Sequence, residues 1–272
     1  LFKARELCPN LKCVLARHDV YLKYSRVVKK IYAEYSDRVE SFGIDEAWID
    51  LTGIAKSYDH AEKIANEIRR RVKEEVGLTV SIGVSFNKVF AKLGSDLKKP
   101  DAVTVISEDN YKELVWPLPV EDLLYVGRHT KEKLNMLAIK TIGDLANYDK
   151  NIIIKKLGKP GEMIYDYACG NDYGEVRKYE DQAEIKSVGN SVTYYKDLKS
   201  EQEVESLLLL LAESIAARMM DYGFKKARSI SLTIMYNNLE CKTRMCKMTP
   251  PTKSSSEFAK YGMKLFRQHF DW

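Results

Sequence analysis

Apolar residues recur at helical spacing from about Val20 to Tyr35, at Val20, Tyr24, Val27, Val28, Ile31 and Tyr35. The period then shortens to the alternation of strands over Arg38 to Thr52. That change predicts a helix feeding a hairpin. A second amphipathic helix is expected from about Asp59 to Val76, stopping at Gly77. A β-rich run from Leu78 to Phe86, a helix from about Asn87 to Leu97 and a strand near Val103 to Ile106 follow. Such a mixture implies an α/β layer, a sheet backed by two helices.

After Pro117 and Pro119 the pattern gives short helices only, through about Gly170. Leu123 to Leu137 and Ile139 to Tyr148 read as small paired helices joined at Gly127 and Gly143. Asn171 to Glu184 is polar and charged, with too few apolar residues to hold a core, and reads as a linker. Beyond it Ser187 to Tyr195 and Ser229 to Tyr236 alternate like strands. A long helix (about Gln202 to Tyr222) separates them, and another runs from about Ser256 to Phe270. The order suggests a strand-helix-strand-strand-helix unit with two helices on one face of a small sheet, its final strand expected past Trp272. Leu1 to Leu7 reads as the end of a helix without a cap or an initiating Met, so further chain is expected upstream. The fold class expected is α+β and multidomain.

Charge changes this picture only through its distribution. The net charge is +5, and Lys186 to Trp272 holds 14 Lys and Arg against 9 Asp and Glu, while the rest is balanced at 30 of each. A basic module on a neutral body is the footprint of a part that tracks phosphates, and a solvated surface gives the same count. No stretch approaches the ~18 uninterrupted apolar residues of a membrane span, and Leu1 to Asn10 lacks the pattern of a signal peptide. Five cysteines without a CxxC pair fit neither a disulfide framework nor a zinc site, so reduced thiols and a cytoplasmic location are expected.

Two segments carry candidate chemistry. In Ser41 to Thr52, Asp45 and Glu46 interrupt an otherwise apolar strand pair. Adjacent carboxylates in such surroundings stay ionised only beside a cation, for which a divalent metal is one solution. The spacing alone favours the other placement, with the pair at a hairpin tip in water. In Ser81 to Asp101, Asn87 can cap a helix that places Lys88 and Lys92 on one face, with Lys98 and Lys99 at its end. Those lysines form a grip for a polyphosphate, or simply favourable charges near a helix C-terminus.

The run Ile44-Asp-Glu-Ala-Trp-Ile-Asp50, followed by Asn87-Lys-x-x-Ala-Lys and Asp96-x-x-Lys-Pro100, resembles the palm signature of the Y-family (translesion) DNA polymerases. The likeness extends over essentially the whole chain. It implies a fingers remnant at 1–17, a palm without its first strand at 18–106, a thumb at 107–171, a linker at 172–185 and a little finger at 186–272. It further implies that Asp45 and Glu46 hold two Mg²⁺, and that Lys99, with Lys92 the weaker candidate, contacts a deoxynucleoside triphosphate. Primer-template DNA would be held by Val126, Gly127 and Arg128 in the thumb and by Lys186, Lys242, Arg244 and Lys247 in the little finger.

The sequence departs from the family in having one glycine at Val126-Gly127-Arg128 where two are typical, and in Gly43 and Trp48 where Ser and Tyr are commoner. A third metal-binding aspartate, a steric gate and an Arg/Tyr pair of the fingers are expected before Leu1, and any peptide binding a sliding clamp after Trp272. The 272 residues alone are therefore expected to extend primers poorly. Two other classes share these features: a DNA-binding homologue without catalysis, and a palm-containing nucleotide cyclase, which also pairs carboxylates with metal.

Overall fold

The computed structural model describes residues 1–181 and 185–270. The chain divides into two compact units, Leu1–Gln182 and Ala183–Trp272. No helix among the described residues is long and apolar enough to cross a membrane.

The first unit opens with a short helix, α1 (Phe2–Leu7), and the longer α2 (His18–Ala33). The expected hairpin follows as β1 (Val39–Ser41) and β2 (Ala47–Ile49), antiparallel with Val39 opposite Ile49 and Ser41 opposite Ala47. Next, α3 (Tyr58–Arg71) starts at Ser57, whose side chain accepts from the His60 amide, and runs into a π-helical turn over Val72–Val76. Gly77, at φ 73°, ends it in the left-handed conformation that glycine supplies. The apolar stripes of α2 and α3 close on the hairpin, burying Ile31, Val39, Ile68 and Val72 in one core.

A crossover β3 (Ile82–Ser85), α4 (Lys88–Leu97), β4 (Val103–Ile106) comes next, its strands pairing in parallel. Two glycines let this helix lie directly on its strand. A Cβ on Gly83 would meet the Ala91 carbonyl oxygen at 1.9 Å, and one on Gly94 would meet the Gly83 Cα at 3.2 Å. The strands thus form two separate two-stranded ladders, β1-β2 and β3-β4. The indole nitrogen of Trp48 on β2 bridges toward the crossover, donating to the Lys88 carbonyl at 2.9 Å.

Five short helices complete this unit: α5 (Tyr111–Val115), α6 (Arg128–Asn135), α7 (Ile142–Ala146), α8 (Lys150–Leu157) and α9 (Lys159–Ala168). No hydrophobic period marks α5, which at five residues is too short to display one. The helices share one continuous core with α4 and β4, including Phe90, Ile106, Leu134, Leu145 and Ile164. A ring cluster of Phe86, Phe90, Tyr111 and Trp116 ties that core together.

The stretch expected to be a free linker is, through residue 179, held against the first unit. Val176 is buried, its carbonyl accepts from Arg38 at 3.3 Å, and the Tyr179 amide donates to the Asp37 carbonyl at 2.9 Å. Lys88 Nζ reaches the Glu175 carbonyl at 3.1 Å and Glu40 at 3.2 Å, and Glu40 also accepts from the Arg177 amide. Polar contacts anchor the segment where apolar residues are few, and composition could not anticipate that.

The second unit packs α10 (Glu201–Asp221) and α11 (Ser255–His269) against a two-stranded antiparallel ladder, β5 (Ala227–Met235) and β6 (Cys241–Thr252). The strand expected at 187–195 makes no ladder among the described residues. Its contacts are to side chains of α10 instead: Asn190 donates to Ser214 at 2.8 Å, and Arg218 donates to the Gly189 carbonyl at 2.5 Å. Period-2 burial is clean along β5, where Ile230, Leu232 and Ile234 turn inward and Ser229, Ser231 and Thr233 stay exposed.

Candidate active site

The carboxylate pair lies in the hairpin turn between β1 and β2, not within the strands. Asp45 is exposed and Glu46 partly so, which is the hairpin-tip placement and not the apolar strand environment. The turn is built locally. The Phe42 amide donates to the Glu46 carbonyl at 2.9 Å, and the Phe42 and Trp48 rings stand 4.7 Å apart. Gly43 takes φ 85°, so this glycine answers a backbone demand that a serine would meet only with strain. From α2, Lys29 Nζ donates to the Gly43 carbonyl at 2.8 Å and the Ser25 hydroxyl donates to the Ile44 carbonyl. Burial draws the Lys29 ammonium below the usual lysine pKa, and the neighbouring Asp45 charge opposes that shift.

Glu46 connects to the second predicted segment. Lys92 Nζ sits 3.0 Å from Glu46 Oε1 and 2.5 Å from Asp96 Oδ2, and Lys99 Nζ sits 2.6 Å from Asp96 Oδ1. The result is one unbroken line of alternating charge, Glu46, Lys92, Asp96, Lys99. It exists because Asn87 caps α4, accepting from the Phe90 amide at 2.8 Å, which sets Lys92 and Asp96 at i and i+4. The close seating of α4 on β3 through Gly83 and Gly94 then fixes that face. Burial works against the Lys92 charge, yet Asp96 and Glu46 outweigh it and raise the pKa. For Asp96, burial is likewise overcome by Lys92 and Lys99, which hold the carboxyl below its ordinary range. Asp96 is the link that the motif alone does not assign, although its i, i+4 spacing from Lys92 is the signal that marks it.

The donor set suits Mg²⁺. That ion prefers hard oxygens, retains several waters and takes one or two protein carboxylates together with substrate phosphates. Asp45 and Glu46 offer two such carboxylates at an accessible turn. Among the described residues no group of three or more His, Cys, Asp and Glu side chains is placed to hold a metal ion.

The remaining predicted residues fall into two places. In the first unit Val126 is buried, Gly127 is the N-cap of α6 at an ordinary φ of −79°, and the exposed Arg128 pairs with Glu132 at 3.1 Å. Just before them Tyr125 holds φ 69°. The second glycine expected in this turn is thus replaced by a tyrosine in a conformation glycine would favour.

In the second unit Lys186 is exposed, and β6 divides the other three. Lys242 and Arg244 lie opposite Ile234 and Leu232, on the face that carries those packed residues, yet both are themselves exposed. Lys242 Nζ rests 5.2 Å over the Tyr236 ring. Lys247 lies opposite Ser229 on the other, open face, with Ser231, Thr233, Thr243 and Met245. These cations therefore do not form one surface.

Comparison with known proteins is consistent with this geometry. Residues 1–96 match the impB/mucB/samB family, and residues 185–272 match the impB/mucB/samB family C-terminal domain. The chain is 44% identical over 272 residues to DNA polymerase IV of Acetivibrio thermocellus, covering all of this chain and 68% of that protein. It is 34% identical over 268 residues to DNA polymerase IV of Clostridium acetobutylicum, covering 98% of this chain and 67% of that one. A solved Y-family DNA polymerase chimera superposes with a TM-score of 0.84 at 21% identity, over 98% of this chain and 76% of the chimera. The fold is thus that of the Y-family polymerases. The chain belongs to the DNA polymerase IV group of that family.

Proposed function

We propose that these residues serve template-directed DNA synthesis across damaged templates, with Asp45 and Glu46 at the reacting centre. The observation that carries this reading is the line of charge that joins the acidic turn to two lysines on α4 and just beyond it. Asp45 and Glu46 would hold Mg²⁺, which when bound lowers the charge repulsion between an incoming triphosphate and the primer 3′-hydroxyl and stabilises the leaving pyrophosphate. Lys99, more than half exposed, is free to leave Asp96 for the triphosphate, and Lys92 stands nearer the carboxylates, paired with Glu46 itself. Lys29 braces the acidic turn through the Gly43 carbonyl and balances part of its charge.

DNA would be held without base readout. Backbone amides at Gly127 and the exposed Arg128 suit duplex phosphates. In the second unit, Lys247 with the hydroxyls of Ser229, Ser231, Thr233 and Thr243 offers a flat polar face for a sugar-phosphate chain, whereas Lys242 and Arg244 are edge contacts. Lys186 would add charge near that module. A role in DNA repair, a cytoplasmic location and recruitment by a sliding clamp accord with the family resemblance.

Asp45→Ala, in a polypeptide that includes this chain, is expected to lower nucleotide incorporation by orders of magnitude while DNA affinity stays within about twofold. Gel-resolved primer extension and fluorescence anisotropy on the same preparation check both halves. Undiminished synthesis by the variant rules the assignment out.

A further inference from the structure

The position of Lys92 carries an inference beyond its expected contact with phosphate. Its ammonium bonds Glu46 at 3.0 Å, although Glu46 is one of the two carboxylates assigned to the metal. A cation cannot be approached closely by a second cation without repulsion, so Lys92 and a divalent ion compete for Glu46. Lys92 also has a second anion, Asp96, at 2.5 Å. Its side chain is only 18% exposed, so an unpaired ammonium there would be costly. Asp96 removes that cost, because Lys92 can release Glu46 and still keep a charged partner one helical turn away.

We propose that Lys92 is an exchangeable counter-ion, pairing with Glu46 when the site is empty and yielding that carboxylate when metal and polyphosphate arrive. It is a positioning residue in this respect. Phosphate draws Lys92 away and frees Glu46 for metal, and metal on Glu46 frees Lys92 for phosphate. By linkage, each ligand then favours the other by the same factor. The nucleotide and its metal are thereby taken up together, and an isolated divalent ion is bound only weakly. The inference rests on the assignment of Asp45 and Glu46 as metal ligands, and the test separates the two.

The test is a Mn²⁺ titration followed by electron paramagnetic resonance, on the 272-residue chain without DNA or nucleotide. Lys92→Met removes the competing charge at similar length and is expected to bind Mn²⁺ roughly three- to tenfold more tightly. Glu46→Gln is expected to weaken binding, and the Glu46→Gln/Lys92→Met double variant to match Glu46→Gln alone, because the gain acts only through that carboxylate. Lys92→Gln provides the same comparison should Met perturb folding, which circular dichroism monitors.

If Asp45→Asn and Glu46→Gln weaken Mn²⁺ binding but neither Lys92 variant tightens it, the exchange is overturned and the metal assignment stands. If Asp45→Asn and Glu46→Gln change nothing, both fall. A second reading needs no metal. With chelator present, Glu46→Gln is expected to bind inorganic tripolyphosphate about threefold more tightly, because Lys92 then has Asp96 as its one remaining anionic partner. Unchanged or weaker binding contradicts the exchange.

Discussion

The two units handle charge in opposite ways. In the first, candidate functional side chains separated by more than fifty positions join in one connected line, Glu46 to Lys99, because a capped helix lies flush on a strand beside a hairpin turn. In the second, basic residues only a few positions apart on one strand are parted to opposite faces. Helical spacing gathers charges four apart, whereas strand parity separates neighbours by whether their numbers differ by an odd or an even count. The first arrangement suits a reacting centre, where groups must converge. The second suits a surface that holds an extended polymer at several separated points.

The contrast can be broken most severely at Gly83. A methyl there would drive into the Ala91 carbonyl, so Gly83→Ala is expected to destabilise the first unit by about 3 kcal/mol or more. The second unit's core contains no part of that contact and should keep its own unfolding midpoint. Urea denaturation followed by circular dichroism, with hydrogen exchange assigning amides to each unit, reads this directly. A variant as stable as the parent would mean that α4 is not seated on β3 as described.

A gentler change sharpens the account of the second unit. Lys247→Ala is expected to weaken DNA binding several-fold and to reduce the slope of log affinity against log salt by about one. Lys242→Ala, on the face that carries Leu232 and Ile234 and resting on Tyr236, is expected to change affinity by less than about twofold. Anisotropy titrations at three salt concentrations separate them. Equal losses would indicate that the open face is not the one DNA meets.

Much of the fold was legible because its signals were local. The helix over Val20 to Tyr35 became α2, the Asn87 cap and its i, i+4 charges became α4, and the strand at Val103 to Ile106 became β4 with the same bounds. Gly77 ended its helix as its backbone freedom allowed. What escaped depended on partners distant in sequence. The alternation of Ser187 to Tyr195 suggested a strand, but ladder formation requires a neighbouring edge, and side chains of α10 engage that segment instead. The anchoring of residues 171–179 rests on Arg38, Glu40 and Lys88, more than eighty positions away.

The candidate site was half legible. Asp45, Glu46, Lys92 and Lys99 were recognisable by type and motif, and Asp96 stands at local helical spacing from both lysines, but the link from Lys92 to Glu46 depends on how α4 meets the hairpin, which no periodicity encodes. The split of Lys242 and Arg244 from Lys247 was present in their numbering. It became decisive only once the register with β5 identified which parity faces the helices.

The central claim is that this chain supports synthesis dictated by a template. Single-nucleotide insertion opposite each of the four template bases, with Mg²⁺ and a polypeptide that includes these residues, tests it most directly. The expected result is that the complementary nucleotide is favoured in every case and that insertion ceases when primer-template is omitted. Nucleotide consumption that ignores the template base, or that proceeds equally without DNA, would contradict it.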